Sequence, residues 1–126
     1  MLRYDPDHDP PARGWLAVDE ADRIEGVVRY HRRAGVRLPN VRLHAVIHVI
    51  VENQLAGAWA PAVDALARLR REGVGRHDAI HAIGALLATH MADVTRAGFG
   101  PDPNAPYEAA LAALTAERWR PPVASE

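Results

Sequence analysis

The chain has 126 residues, enough for one domain with one core, and 48% of them are hydrophobic and 25% charged, as is ordinary for a globular protein. Its net charge of -1 gives no overall field that would attract nucleic acid or an anionic membrane. Cysteine is absent, which excludes disulfides, thiolate metal ligands and thiol nucleophiles from this chain.

Residues 1–18 predict an extended, flexible N-terminal arm. Proline and acidic residues dominate positions 5–11, and no apolar stretch there could serve as a signal peptide. No segment of the chain approaches the ~20 apolar residues that cross a bilayer. We therefore expect a cytoplasmic protein with no membrane or nucleic-acid partner, whereas the formation of a homo-oligomer stays open.

Residues 19–120 predict a single all-α domain, a compact bundle of about five helices with a short tail at 121–126. The first helix begins at an Asp19 cap and ends at Gly35. Glycine, proline and asparagine then separate four further helices over residues 41–56, 61–71, 76–97 and 107–119. No segment alternates in hydrophobicity as a strand does, so the fold class is all-α.

The second and fourth helices carry the residues that point to chemistry. Nearly every position of 43–52 other than the histidines is apolar, which is typical of a helix in the middle of a bundle. Each of the two helices holds a His-x-x-x-His pair, His44/His48 and His77/His81. Residues four apart on a helix are neighbours on one face, about 5–6 Å between Cβ atoms, so each pair can chelate one ion.

These two pairs predict a transition-metal site. Four imidazoles buried without partners would each cost ~1–3 kcal/mol, and a metal would satisfy all four. Nitrogen ligands suit zinc, iron, nickel or copper, and they disfavour magnesium and calcium, which bind oxygen. Zinc is the first choice, because the few carboxylates here do not match the several that di-iron bundles use.

Glu52 continues the stripe of His44 and His48 at a spacing of i, i+4, i+8. Eight residues rise about 12 Å along a helix, so His44 and Glu52 cannot share one ion. We expect Glu52 to be a metal ligand, because the imidazoles need an anion to balance the charge of the ion. A dinuclear centre, a catalytic base and a group that orients a ligand stay open as alternatives.

The remaining histidines and Asp78 are expected to lie outside the metal site. His31 lies on the apolar face of the first helix, and a core histidine bonded to a backbone carbonyl is favoured over a fifth ligand. His90 follows His81 by nine residues and so points away from the ligand face, while His8 is in the arm. Asp78 is interpreted as an acidic residue of the first helical turn.

The spacing of these residues resembles one protein family. The pattern Leu-His-x3-His-x3-Glu-x-Gln at 43–54, followed by His-Asp-x-x-His at 77–81, is similar to an uncharacterised bacterial family of small helical proteins, one of the domains of unknown function. The likeness covers residues 40–83. It implies that the two histidine pairs, His44/His48 and His77/His81, belong to one site with Glu52, Gln54 and Asp78, and it implies no activity.

Two functions remain open from the sequence. One is a metal-dependent hydrolase, favoured over an oxidoreductase, that acts on a small-molecule substrate of unknown identity. The other is a non-catalytic, metal-stabilised scaffold or a regulatory or interaction module. A catalytic metal keeps an exchangeable position, whereas a structural metal is closed by protein ligands.

Overall fold

The computed structural model describes residues 2–98 and 100–119, and it confirms the all-α fold. These residues form helices and no strand. The six helices are α1 (Ala12–Ala17), α2 (Glu20–Arg33), α3 (Val41–Ala56), α4 (Ala60–Arg71), α5 (Arg76–Ala97) and α6 (Ala105–Ala113). Among the residues described, no helix has the length and hydrophobicity that crossing a membrane requires.

Helix α3 occupies the centre of the bundle, as its apolar sequence predicts. It packs against α1, α2, α4 and α5. On one side of α3 lies the larger core, which includes Val51, Leu69, Ile80, Ile83 and Leu111. On the other side lies a smaller core, which includes Tyr4, Trp15, Val27, Val28 and Val49. Helix α3 therefore contributes to both cores, whereas the buried hydrophobic residues of α5 belong to the larger one. Of the paired histidines, His48 is buried and the other three are half-buried.

Gly84 lets α3 and α5 approach each other closely. A Cβ atom at this position would lie 2.9 Å from Cγ2 of Ile47, closer than real Cβ contacts. Ile47 is β-branched, so its Cγ2 cannot swing away without a change in a stiff χ1 angle. The hydrogen side chain of glycine thus sets the distance between the two histidine-bearing helices.

The N-terminal residues differ from the extended arm that the sequence predicts. They include α1, and the side chains of Tyr4 and Trp15 are each only 2% exposed. The Trp15 indole N–H donates to Oδ1 of Asn53 on α3 at 2.9 Å. Single buried aromatic residues leave no periodic pattern in a sequence, which is why this packing was missed.

Helix α6 is shorter than predicted and ends at Ala113 rather than near residue 119. Leu114 has extended backbone angles. The Arg68 guanidinium donates to the carbonyl oxygens of Leu111 at 3.1 Å and Leu114 at 2.7 Å. A side chain from α4 therefore satisfies the carbonyls at the end of α6. The predicted tail, residues 121–126, lies outside the described residues.

Candidate metal centre

Helices α2, α3 and α5 bring five imidazoles together inside the bundle. The centroids of neighbouring rings lie between 4.3 Å, for His77 and His81, and 6.3 Å, for His31 and His77. Four of the five residues each offer one ring nitrogen, and these four nitrogens all lie within 4.8 Å of one another. These four, called the histidine cluster below, are His31, His44, His48 and His81.

Nε2 of His48 and Nε2 of His81 lie within hydrogen-bonding distance, 3.0 Å apart. Two imidazoles on a tetrahedral zinc, each with a bond of 2.0–2.1 Å, place their nitrogens about 3.3 Å apart. The two side chains therefore need to move by only a few tenths of an ångström to hold one ion. Without an ion, one of the two nitrogens must carry a proton and the other must accept it.

Several nitrogens of these rings have no hydrogen-bond partner. Nε2 of His31, His44 and His77 is buried in each case, and no described residue donates to it or accepts from it. A buried polar atom left in this state costs ~1–3 kcal/mol. Buried polar atoms are seldom left without a partner in a packed interior, and a binding site for an ion would explain these three.

Burial favours the neutral, metal-binding form of the four imidazoles on α3 and α5. Burial lowers the pKa of His44 and of His81 to about 4, and the neighbouring imidazoles lower both further. Burial likewise lowers the pKa of His48 well below its usual value, and that of His77 to a smaller degree. Neutral imidazole is the ligand form, so no proton has to leave these rings at neutral pH.

His31 makes the backbone hydrogen bond predicted from the sequence, and it also lies in the cluster, where the sequence interpretation did not place it. Its Nδ1–H donates to the Val27 carbonyl at 2.8 Å, as expected of a core histidine. Its Nε2 is one of the three buried nitrogens that have no partner among the described residues. Metal-binding histidines commonly donate their second ring N–H to a backbone carbonyl. His31 reaches the cluster because α2 packs on α3. The pattern of apolar residues within one helix does not reveal which helices pack together.

His77 lies beside the cluster rather than in it. Its ring is the nearest neighbour of the His81 ring, at 4.3 Å between centroids, and lies 5.5 Å from that of His48. It is, however, outside the set whose nitrogens all lie within 4.8 Å of one another. The two predicted pairs thus contribute three members of the cluster, and α2 contributes the fourth.

The surroundings of Glu52 do not support the metal-ligand and catalytic roles expected for it. Its carboxylate oxygens accept from the Arg76 guanidinium at 2.7 Å and 2.9 Å. The Glu52 side chain is 1% exposed and that of Arg76 is 2% exposed. Oε2 of Glu52 also accepts from the Tyr4 hydroxyl at 2.5 Å. The anion is therefore balanced by an arginine instead of an ion.

Tyr4 and Arg76 are the functional candidates that the sequence did not indicate. The Tyr4 hydroxyl oxygen lies 3.2 Å from Nδ1 of His48, so it connects the cluster to the Glu52–Arg76 pair. Burial and the Glu52 carboxylate raise the pKa of the Tyr4 phenol above its usual range, and it stays protonated. A cation near Glu52 was foreseeable, because a buried carboxylate needs one. Nothing in the N-terminal sequence marked Tyr4.

The other polar residues named from the sequence lie away from the cluster. His8 and Asp78 are exposed. His90 is stacked on Tyr107, with 5.6 Å between ring centroids. Gln54 accepts from the hydroxyl of the same tyrosine at 2.9 Å. The placement of His8, His90 and Asp78 agrees with the sequence interpretation, whereas Gln54, part of the family pattern, supports the packing of α6.

Comparison of the chain with protein-family models, with curated proteins and with solved structures finds no match. The resemblance to a family with no assigned function therefore stays an expectation.

Proposed function

We propose that this protein binds a transition-metal ion, with zinc as the first choice, through the histidine cluster. The observation that supports this most directly is that four imidazoles from three helices have ligand-capable nitrogens within 4.8 Å of one another. The buried nitrogens of His31 and His44 that lack partners add a second reason, because an ion would satisfy both.

The donor set favours a closed, structural site. Four neutral nitrogens complete the tetrahedral shell that structural zinc sites use. The Glu52 carboxylate is paired with Arg76 at 2.7 Å, so it does not supply an anionic ligand to the cluster. An ion held in this way would cross-link α2, α3 and α5 and so stabilise the bundle. We therefore place the protein among metal-stabilised scaffolds or regulatory modules.

A hydrolytic enzyme is the alternative, and His77 is the residue that favours it. Its Nε2 is buried without a partner, and burial lowers its pKa, so the ring is a neutral base. Hydrolysis by a metal requires a coordination position that the protein leaves open. If only three of the cluster histidines ligate, His77 lies close enough to His81 to act on a group bound at the fourth position.

Metal content is the first test, on protein purified without a polyhistidine tag. We expect one zinc per chain by elemental analysis, and a gain of about 2.7 kcal/mol in the free energy of unfolding at free zinc one hundred times the dissociation constant. His81→Ala should remove both. The matched control, His90→Ala, should keep both, because His90 is stacked on Tyr107, away from the cluster.

Two results of this test would contradict the proposal. One is a wild-type chain whose unfolding does not respond to zinc. The other is an equal loss of zinc from His90→Ala and His81→Ala. Two ions per chain would instead support a dinuclear centre that includes His77.

The coordination number separates scaffold from enzyme. Cobalt(II) in a four-coordinate site absorbs strongly in the visible range, whereas five- and six-coordinate cobalt absorbs weakly. A closed cluster should give the strong spectrum in the wild type and in His77→Ala alike. A weak spectrum, or one that changes when small anions are added, would favour an open position and the hydrolytic alternative.

A further inference from the structure

Tyr4 connects the histidine cluster to a buried ion pair. Its hydroxyl oxygen lies 2.5 Å from Oε2 of Glu52 and 3.2 Å from Nδ1 of His48. All three side chains are almost fully buried, with exposures of 1% for Glu52 and His48 and 2% for Tyr4. Water therefore does not compete for these contacts, and the protons among them can be assigned by elimination.

The assignment begins at Arg76. Its guanidinium donates to both carboxylate oxygens of Glu52, at 2.7 Å and 2.9 Å, and a carboxylate in such an ion pair can only accept. The single O–H of Tyr4 must then be donated to Glu52, at 2.5 Å. The phenolic oxygen has no second proton, so it can only accept from His48.

The proton on His48 is thereby placed on Nδ1. A neutral imidazole carries one proton, so Nε2 of His48 is left with a free lone pair. That nitrogen is the one 3.0 Å from Nε2 of His81, inside the cluster. His31 repeats the arrangement, because its Nδ1–H donates to the Val27 carbonyl and its Nε2 is free.

We propose that Tyr4 is a positioning residue of the metal centre: it holds His48 as the Nδ1–H tautomer and so aims the Nε2 lone pair at the ion. This inference rests on the proposed function of the cluster. Outer partners of this kind orient metal-binding histidines, and their loss lowers affinity by ~10–100-fold. Because Tyr4 lies in the segment before α1, this N-terminal segment contributes a residue to the metal centre.

The test compares Tyr4→Phe with the wild type by two measurements. Tyr4→Phe removes one oxygen and keeps the ring that packs against Trp15 at 5.7 Å. Long-range ¹H–¹⁵N correlation spectra of metal-free protein report which His48 nitrogen is protonated. We expect the Nδ1–H tautomer in the wild type and a shift toward Nε2–H in the variant. Zinc affinity should fall by ~10–100-fold.

Tyr30→Phe is the matched control. The Tyr30 ring also contacts the site, 5.3 Å from the His31 ring and 5.6 Å from the His77 ring. Removing its hydroxyl should leave the tautomer of His48 and the zinc affinity unchanged. A purely structural role for Tyr4 would change stability without changing the tautomer.

The outcomes distinguish this inference from the proposed function. Zinc bound equally by the wild type and Tyr4→Phe would overturn the inference and leave the proposed function standing. A wild type that binds no zinc would overturn the function and, with it, the role at a metal centre. An Nε2–H tautomer in the wild type would overturn the inference by itself, and this measurement does not require the variant to fold.

Discussion

Replacing His44 with leucine tests whether the histidine cluster is kept at the expense of stability. Nε2 of His44 is buried, with no partner among the described residues. An unsatisfied buried group costs ~1–3 kcal/mol, and leucine, of similar size, removes it. Imperfect packing of the branched side chain against the His31 and His48 rings reduces this gain in stability by up to about 1.5 kcal/mol. We expect the metal-free His44→Leu protein to be more stable than the wild type by about 1 kcal/mol.

With zinc present the order should reverse. The wild type gains about 2.7 kcal/mol at free zinc one hundred times its dissociation constant. His44→Leu keeps only three of the four cluster imidazoles and should gain much less at the same concentration. The variant is therefore expected to be the more stable protein without zinc and the less stable protein with it.

Urea denaturation of chelator-treated and zinc-loaded protein measures both differences. The slope with urea should be the same in all samples, so that a change in midpoint is a change in stability. His90→Leu is the control, because it replaces a half-buried histidine outside the cluster. A metal-free His44→Leu protein less stable than the wild type by more than about 1 kcal/mol, together with equal stabilisation of both proteins by zinc, would contradict a metal role for His44.

Three further predictions follow from contacts around the site. Arg76→Met should lower the free energy of unfolding by ~3–5 kcal/mol, because it leaves the Glu52 charge buried and unpaired. Adding Glu52→Gln should restore most of the loss. No recovery of stability in urea denaturation would contradict the pairing. Gly84→Ala should destabilise the protein by ~1–2 kcal/mol despite the better helix propensity of alanine, because its Cβ would lie 2.9 Å from Ile47 Cγ2. Ile47→Leu, which has no Cγ2, should rescue it in thermal unfolding, and equal losses in both backgrounds would argue against the clash. Finally, the free energy of unfolding of the metal-free protein should be highest above pH 6.5 and should fall as the pH drops toward about 4. Burial lowers the pKa of His44 to about 4, so in this range only the unfolded chain binds a proton at that residue. The fall should be shallower in His44→Leu, and an equal slope in both proteins would count against that pKa.

The helices that carry the paired histidines were predictable from local sequence signals alone. The bounds of α3, Val41–Ala56, and of α5, Arg76–Ala97, agree with those predicted. Both helices are specified locally: the Asn40 side chain accepts from the Leu43 N–H at the start of α3, and Gly98 follows α5 with a positive φ of 77°. The spacing of His44 and His48 placed two imidazoles on one face for the same local reason.

The groups that surround those histidines depend on how the helices pack, which local sequence signals do not reveal. His31 joins the cluster because α2 packs on α3. Glu52 pairs with Arg76, 24 residues away, and with Tyr4, 48 residues away, so it is not free to ligate. Contacts over such separations follow from which helix faces pack together and leave no periodic signal in the chain. The pattern of residues thus predicted a set of ligands, whereas the packing selected its members and supplied the groups that orient them.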